Sequence, residues 1–182
     1  MANESKAAGF TLIELIIVIG IAAILMSIAV PSYQYVTTSN RVASELNGLL
    51  GDMQYARIEA IKEGQTVTVC ASSTGASCLA STAWNSGWIV FSDVNNDQTV
   101  DAGDTVLRVQ APFANANSTD TLTANGNVQA VTFNREGFAS GLAGTAIFAL
   151  HNASNTSAYT RCLELSNTGL LTTVTFGNSG CT

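Results

Sequence analysis

Charged residues and histidine are scarce in this chain. Only 11% of its 182 residues are charged, the net charge is −6, and His151 is the single histidine. The negative charge opposes nucleic acid, which would need a local basic patch. One histidine and no C-x-x-C pair argue against a zinc site. No G-x-S-x-G elbow is present and His151 has no thiol or serine at motif spacing, so we predict no enzyme activity and no cofactor other than the calcium considered below.

The rest of the composition is apolar and small. Hydrophobic residues make up 47% of the chain, and Gly, Ser, Thr, Asn and Ala are abundant. This is typical of a β-rich extracytoplasmic domain rather than a disordered tail. About 150 residues follow the N-terminal segment, enough for one domain with its own core. We find no long linker, repeat or second domain.

Residues 10–30 form one long apolar run. They follow a short polar segment, residues 1–9, and contain one charged residue, Glu14. At about 1.5 Å per residue, a helix of this length reaches about 30 Å, the thickness of a bilayer core. The run therefore predicts a membrane-spanning helix.

Two details distinguish this run from a secretory signal peptide. The small residue Gly9 comes before the apolar run, so a cut between Gly9 and Phe10 would leave the helix on the mature chain. Glu14 within lipid costs about 2.5 kcal/mol or more unless it is paired or near the surface. A new amine at Phe10, on the same or a neighbouring helix, is its natural partner. The alternative is a plain anchor with a glutamate near its cytoplasmic end.

The stretch Gly9-Phe10-Thr11-Leu12-Ile13-Glu14-Leu15 resembles the class III signal of type IV pilins and type II secretion pseudopilins. The resemblance implies that prepilin peptidase cleaves after Gly9 and methylates the amine of Phe10. It implies that Glu14 pairs with the N-terminus of an adjacent subunit. It also implies a single-pass bacterial inner-membrane protein with its head in the periplasm, later incorporated into a pilus or pseudopilus with other pilins or pseudopilins.

A helical pattern continues beyond Pro31, which matches the usual kink position of the family. An apolar stripe with alternating steps of four and three consists of Val42, Leu46, Leu49, Met53, Ala56 and Ala60. The charged residues off this stripe are Asp52, Arg57, Glu59 and Lys62. The stripe predicts an amphipathic helix over 31–63 that packs on the head, with Gly64 as C-cap. A coiled-coil seam with a partner is the alternative.

Beyond Gly64 the apolar period changes to two. The predicted strands are Thr66–Ala71, Trp88–Ser92, Val106–Gln110, Val128–Asn134, Thr145–Leu150, Tyr159–Ser166 and Leu171–Phe176. Asn167-Thr168-Gly169 predicts a hairpin turn between the last two. We expect an α+β, pilin-like fold: a long N-terminal helix packed on an antiparallel β-rich head. The predicted segments are the leader 1–9, the membrane or filament-core helix 10–30, the amphipathic helix 31–63 and the head 64–182.

All four cysteines lie beyond the predicted membrane segment. Their even number favours disulfides in an oxidising compartment. Four cysteines allow three pairings. The pairing Cys70–Cys78 with Cys162–Cys181 is preferred, because it closes one short loop and ties down the C-terminus.

The head resembles one branch of the pilin family, the minor pilins of the FimT and FimU type and the type II secretion pseudopilin H. The matching residues are Tyr55, Ala56, Arg57, Glu59, Ala60, Val67, Val69, Cys70, Cys78, Trp84, Gly87, Trp88, Val90, Phe91, Asp93, Leu107 and Arg108. This resemblance implies a low-copy structural subunit near the tip of a type IV pilus that helps to prime assembly. The alternative is a pseudopilin of a short periplasmic filament acting in protein secretion.

An acidic stretch follows the second predicted strand. Oxygen-bearing residues occur at the spacing of an EF-hand-like calcium loop: Asp93, Asn95, Asp97, Thr99, Asp101 and Asp104. Gln98 stands where the turn prefers glycine, and Asp104 is shorter than the usual glutamate. Calcium binding and a solvated acidic turn are therefore both open.

DNA binding is the third functional hypothesis. FimT-type pilins that bind DNA carry a basic G-R-x-R motif on the C-terminal hairpin, where this chain has Gly169-Leu170-Leu171-Thr172. The arginines left in the head, Arg108, Arg135 and Arg161, are scattered, and scattered arginines are usually solvated or paired singly. We therefore expect no nucleic-acid partner.

Overall fold

The computed structural model describes residues 10–113 and 120–182; the predicted cleavage residue Gly9 lies outside them. Within this part of the chain a helix, α1 (Leu12–Glu63), precedes nine strands. The strands are β1 (Val67–Ala71), β2 (Trp88–Ser92), β3 (Thr105–Gln110), β4 (Thr121–Ala124), β5 (Ala130–Phe133), β6 (Ala139–Ser140), β7 (Ala146–His151), β8 (Arg161–Leu165) and β9 (Leu171–Thr175). The described residues up to Thr38 form one compact unit, and Ser39–Thr182 form another.

The strands form two antiparallel sheets. One has the order β3-β2-β1-β5-β6 and the other the order β4-β7-β8-β9. All seven predicted strands are present, with ends that differ by up to a few residues. Two short strands were not predicted. β4 pairs with β7, and β6 pairs with β5 through only Ala139 and Ser140.

The apolar stripe of α1 packs into the head. Leu46 is 3% exposed and the other five stripe residues are 0% exposed, and they belong to the main core together with residues of both sheets. The prediction that this stripe packs on the head is therefore confirmed, and the alternative of a coiled-coil seam with a partner is not. Glu59, predicted to lie off the stripe, is in fact buried and accepts a 2.7 Å hydrogen bond from Lys62 Nζ. The chain continues in helical conformation through Pro31.

The predicted caps and turns form where glycine is needed. Gly64 has φ +69° and donates its N–H to Ala60 O at 3.0 Å, which ends α1. Gly169 has φ +75° and donates to Ser166 O at 2.9 Å in the β8–β9 turn. A Cβ at Gly169 would lie 2.2 Å from Gly137 O, so only glycine fits this close approach.

Two tryptophans anchor the core. Trp84 and Trp88 are fully buried, and Trp84 packs edge-to-face on Phe148 with the ring centroids 5.0 Å apart. Trp84 Nε1 donates to Val128 O at 3.1 Å, so its polar atom is satisfied within the core. β1 and β2 are buried along their whole length, because a second, smaller cluster around Ile89 and Phe91 covers their other face.

Candidate functional site

The N-terminal end of α1 carries the predicted processing and assembly residues. Phe10 precedes the helix and is 81% exposed. Thr11 is the N-cap: its Oγ1 accepts the N–H of Glu14 at 3.3 Å, and its carbonyl accepts the N–H of Leu15 at 3.2 Å. Sequence reasoning missed Thr11, although the T-x-x-E pattern of a capping box identifies it. The helix therefore begins two residues after the predicted new N-terminus.

Glu14 lies in the first turn of α1, four residues after Phe10. Its side chain is exposed, and among residues 10–113 and 120–182 its carboxylate has no hydrogen bond or ion pair. A carboxylate near a helix N-terminus is favoured by the helix dipole. The helix dipole therefore favours the negative charge of Glu14 at this position. Its carboxylate is also free to bind a cation from outside the chain.

The first part of α1 presents an almost entirely apolar surface, with Glu14 its one charged residue. From Leu12 to Val30 its large hydrophobic side chains are exposed by 49% or more. By length and composition, α1 is the one helix in the described part of the chain that could cross a membrane. A helix that is apolar on all sides needs lipid or several protein neighbours to cover it.

Farther along α1, a charged cluster ties the helix to the head. Arg41 bonds Asp120 through two atoms, Nε to Oδ2 at 2.8 Å and Nη2 to Oδ1 at 3.0 Å. The N–H of Ala153 also donates to Asp120 Oδ1, at 2.9 Å. The carboxylate of this bidentate pair is shielded from water, since Asp120 is 2% exposed, whereas the Arg41 side chain is 35% exposed.

Glu45 lies one turn after Arg41 and joins the same cluster. Its Oε2 is buried and has no hydrogen-bond donor among the described residues. Burial, and after it the Asp120 carboxylate, raise the pKa of Glu45 to about 7, although Arg41 acts in the opposite direction. A protonated Glu45 can donate to Asp120, whereas an ionised Glu45 repels it.

A second cluster surrounds Asp52 in the last quarter of α1. Its carboxylate accepts Trp88 Nε1 and Arg108 Nη1, each at 2.9 Å. The Arg108 guanidinium also lies 3.8 Å from the centre of the Tyr55 ring. Asp52 therefore connects α1 to β2 and β3.

The predicted calcium loop is closed by its own hydrogen bonds. Asp93 is 0% exposed, and its carboxylate accepts Thr68 Oγ1 at 2.7 Å and the N–H groups of Asp97 and Gln98 at 3.1 Å each. Hydrogen bonds from Thr99 lower the pKa of Asp97. In the part of the chain that the structure describes, no three His, Cys, Asp or Glu side chains group as metal ligands. Calcium at this loop therefore stays a hypothesis.

The structure contains both of the preferred disulfide pairs. Cys70 and Cys78 are joined with their Cα atoms 5.5 Å apart, and Cys162 and Cys181 with theirs 5.7 Å apart. The first bond closes a short loop beside β1. The second holds the C-terminal segment against β8.

The arginines considered for DNA binding are engaged locally. Arg108 pairs with Asp52, Arg135 Nε pairs with Glu136 at 2.8 Å, and Arg161 Nη1 donates to the carbonyls of Ala158 and Thr160 at 3.1 and 2.9 Å. These contacts do not bring the three side chains into one basic patch.

His151 lines an open surface cavity of about 680 Å³. Its Nδ1 lies 3.2 Å from Thr160 Oγ1, and the other lining side chains are neutral. No side-chain carboxylate or thiol accompanies His151 among the described lining residues, so the cavity gives no support to an enzymatic hypothesis.

Comparisons with known proteins agree with this architecture. The family model for the type II transport protein GspH matches residues 45–169, and that for the prokaryotic N-terminal methylation motif matches residues 5–30. No curated protein sequence matches significantly. Two crystal forms of the type IV minor pilin FimU of Pseudomonas aeruginosa (strain PAO1) are similar in structure. The first has a TM-score of 0.61 and 21% identity, covering 79% of this chain and 96% of that one. The second has a TM-score of 0.55 and 22% identity, covering 78% and 98%. The predicted pilin-like α+β fold is confirmed.

Proposed function

The chain belongs to the GspH family of type II transport proteins, and from its methylation motif and its structural similarity to the minor pilin FimU we propose that it is a minor structural subunit of a type IV pilus. The family resemblance stated from the sequence is confirmed. The proposed mechanism is assembly rather than catalysis. The N-terminal part of α1 inserts among the helices of other subunits, and the head makes contacts near the filament tip.

The observation that carries this proposal is the uncovered apolar surface from Leu12 to Val30. The described residues of the chain bury none of this span. At about 25 cal/mol per Å² of apolar surface, water is an unfavourable environment for it. The inner membrane can cover it before assembly, with the head in the periplasm, and the helices of neighbouring subunits can cover it in the filament.

The methylation motif supports processing at the N-terminus of this helix. In the proposal, prepilin peptidase cuts between Gly9 and Phe10 and methylates the Phe10 amine. The N-cap at Thr11 supports this, because it starts the helix without needing the leader. Glu14 then pairs with the amine of a neighbouring subunit, since its carboxylate is exposed. The proposed segments remain a core helix over 10–30, an amphipathic helix over 31–63 and a head over 64–182.

Substitution of Glu14 tests this pairing. Glu14→Ala is expected to lower incorporation into purified filaments about tenfold or more. The substitution leaves the N-terminal amine of the neighbouring subunit unpaired, and an unpaired charge in apolar surroundings costs about 2.5 kcal/mol. Leader cleavage and membrane level should stay normal on immunoblots. Glu63→Gln, at the other end of α1, is the matched control and should incorporate normally. Normal incorporation of Glu14→Ala would contradict the pairing.

The pseudopilin of a type II secretion system is the second candidate function, favoured by the description of the matching family. A clean deletion in the native host separates the two. Lost surface pili and twitching with normal release of secreted proteins support a minor pilin. Intact pili with blocked secretion support a pseudopilin.

A further inference from the structure

Sheet edges in the head differ in how well they are protected. Among the described residues, three of the four edges are blunted against a further strand. β6 has two residues, Ala139 and Ser140. β4 is covered by a bridge from Ala83, and its Ala124 N–H donates to Thr82 O at 3.1 Å. β3 carries Arg108 and has an irregular register with β2. Charges, short strands and bulges are the usual devices against edge pairing.

The fourth edge, β9, has none of these devices. The segment 170–176 reads Leu-Leu-Thr-Thr-Val-Thr-Phe, with no charge, proline or glycine. These residue types favour an extended strand. Leu170 and Phe176, which flank β9, are 62% and 48% exposed. An uncharged, β-prone edge of this kind is a template for another strand.

The register of the β8–β9 hairpin identifies the outward-pointing backbone groups. Ser166 N–H donates to Leu170 O at 3.0 Å, so Leu170 bonds toward β8. In an antiparallel pair, alternate residues bond to the same neighbour. The backbone groups of Leu171, Thr173 and Thr175 therefore point away from β8. The carbonyl of Thr175 accepts the N–H of Asn178, at 3.2 Å in the following turn. Leu171 and Thr173 are therefore the two residues of β9 whose outward N–H and C=O groups can both bond a further strand.

A groove runs beside this edge. It has a volume of about 230 Å³ and separates β9 from α1. Its lining residues are Ala43, Leu46, Asn47, Arg161, Thr173, Val174 and Thr175. Among these described lining residues Arg161 is the only charged one, and its guanidinium bonds two backbone carbonyls. Side chains of an added strand would therefore enter a space whose lining is neutral apart from that guanidinium.

We propose that β9 accepts an extended, uncharged segment of a neighbouring pilin-type subunit, which becomes the fifth strand of its sheet. This inference rests on the proposed function as a filament subunit. Main-chain hydrogen bonds to Leu171 and Thr173 supply affinity, and the groove selects small or apolar side chains. Filaments grow through heterologous contacts, so the neighbour presents a surface other than its own β9.

Photocross-linking in the native host tests the contact directly. A benzophenone amino acid replaces Thr173 in the full-length chain, and filaments are irradiated and analysed by mass spectrometry. The matched control replaces Thr105, an exposed threonine on the blunted β3 edge. The expected result is an adduct from position 173, absent from position 105, to a peptide of another pilin-type subunit. An adduct between two β9 strands, an adduct to a protein of another class, or no adduct from filaments that contain the chain overturns the proposal.

Substitutions at the same residue test its contribution to assembly. Thr173→Pro removes an outward N–H and no bond to β8, and Thr173→Lys adds a charge to the edge. Both are expected to reduce incorporation into filaments at least fivefold relative to Thr105→Lys. The urea midpoint of the full chain in detergent shows whether each variant keeps its fold. If Thr173→Pro unfolds the head, the test rests on Thr173→Lys alone. Incorporation of folded Thr173→Lys at the level of Thr105→Lys overturns the proposal. Absence of the unsubstituted chain from filaments instead contradicts the proposed function.

Discussion

The two parts of α1 carry similar apolar residues but cover them differently. From Leu12 to Val30, large side chains are exposed by 49% or more, whereas the stripe from Val42 to Ala60 is exposed by 3% or less. The second part has a single apolar stripe, which the head covers. The first part is apolar around the helix except at Glu14 and Ser27, and the described residues leave it uncovered. The comparison separates residues that build the subunit from residues that connect it to other molecules.

The charges follow the same division. In the second part of α1, Arg41 and Asp52 each bond residues of the head, and Arg57 Nε donates to Gly137 O at 2.9 Å. In the first part, the carboxylate of Glu14 has no partner within residues 10–113 and 120–182. The partners of Arg41, Asp52 and Arg57 lie within the chain and stabilise its fold, whereas under the proposed function the partner of Glu14 comes from a neighbouring subunit.

Truncating one leucine in each part should give the largest contrast. Leu49→Ala removes a fully buried side chain and is expected to lower the free energy of unfolding by about 3 kcal/mol. Leu25→Ala, at a position that is 62% exposed, should leave the unfolding of the head unchanged. Urea denaturation of the full chain in detergent, followed by tryptophan fluorescence, measures both. Equal destabilisation by the two variants would remove the distinction between the parts.

The link between α1 and the sheet through Asp52 should give the next largest effect. Asp52→Ala leaves Trp88 Nε1 without its acceptor and Arg108 without its ion pair, so a loss of about 2 kcal/mol is expected. Asp52→Asn keeps an acceptor for Trp88 and should lose about half as much. The same urea assay compares them. Stability unchanged in Asp52→Ala would show that this cluster does not hold the helix.

Periodicity in the sequence predicts the elements but not these contacts. The stripe of α1 and seven strands follow from local spacing, whereas β6 has only two residues and β4, Thr-Leu-Thr-Ala, carries a single large apolar side chain. Asp52 and Trp88 are 36 residues apart, and Arg41 and Asp120 are 79 apart. Asp120 lies between predicted elements, so only the folded chain identifies it as a partner of α1. The capping-box pattern of Thr11 and Glu14 predicts the N-cap that the structure contains, whereas the pilin resemblance concerns only the role of Glu14 in assembly.

The cluster around Glu45 predicts a pH dependence of intermediate size. The pKa of Glu45 is raised from 4.5 to about 7, so the fold favours its protonated form. Its stabilisation is complete below about pH 4.5 and is lost as the pH rises through about 7. Because the site is only partly buried, a loss of about 1–2 kcal/mol is expected.

Glu45→Gln should remove this dependence, because glutamine cannot ionise next to Asp120. Urea midpoints at pH 5 and pH 8 then differ less for Glu45→Gln than for the unsubstituted chain, with Glu63→Gln as an exposed control on the same helix. If the urea midpoint of Glu45→Gln depends on pH as much as that of the unsubstituted chain, other groups cause the effect. The protonation of Glu45 would then not contribute to the stability of the head.

Calcium should have the smallest effect, because the acidic loop belongs to the part of the molecule that satisfies its own groups. The carboxylate of Asp93 already accepts three hydrogen bonds within the chain. A site with a Kd of about 1 mM would stabilise the fold by about 1 kcal/mol at about 5 mM calcium. The expected shift in the urea midpoint is below detection, with magnesium as the control for ionic strength. A calcium-specific shift that disappears in Asp101→Asn would instead show that the acidic loop of the head binds calcium. The head would then also bind a partner from outside the chain, and the contrast between the two regions would no longer be one of stability against binding.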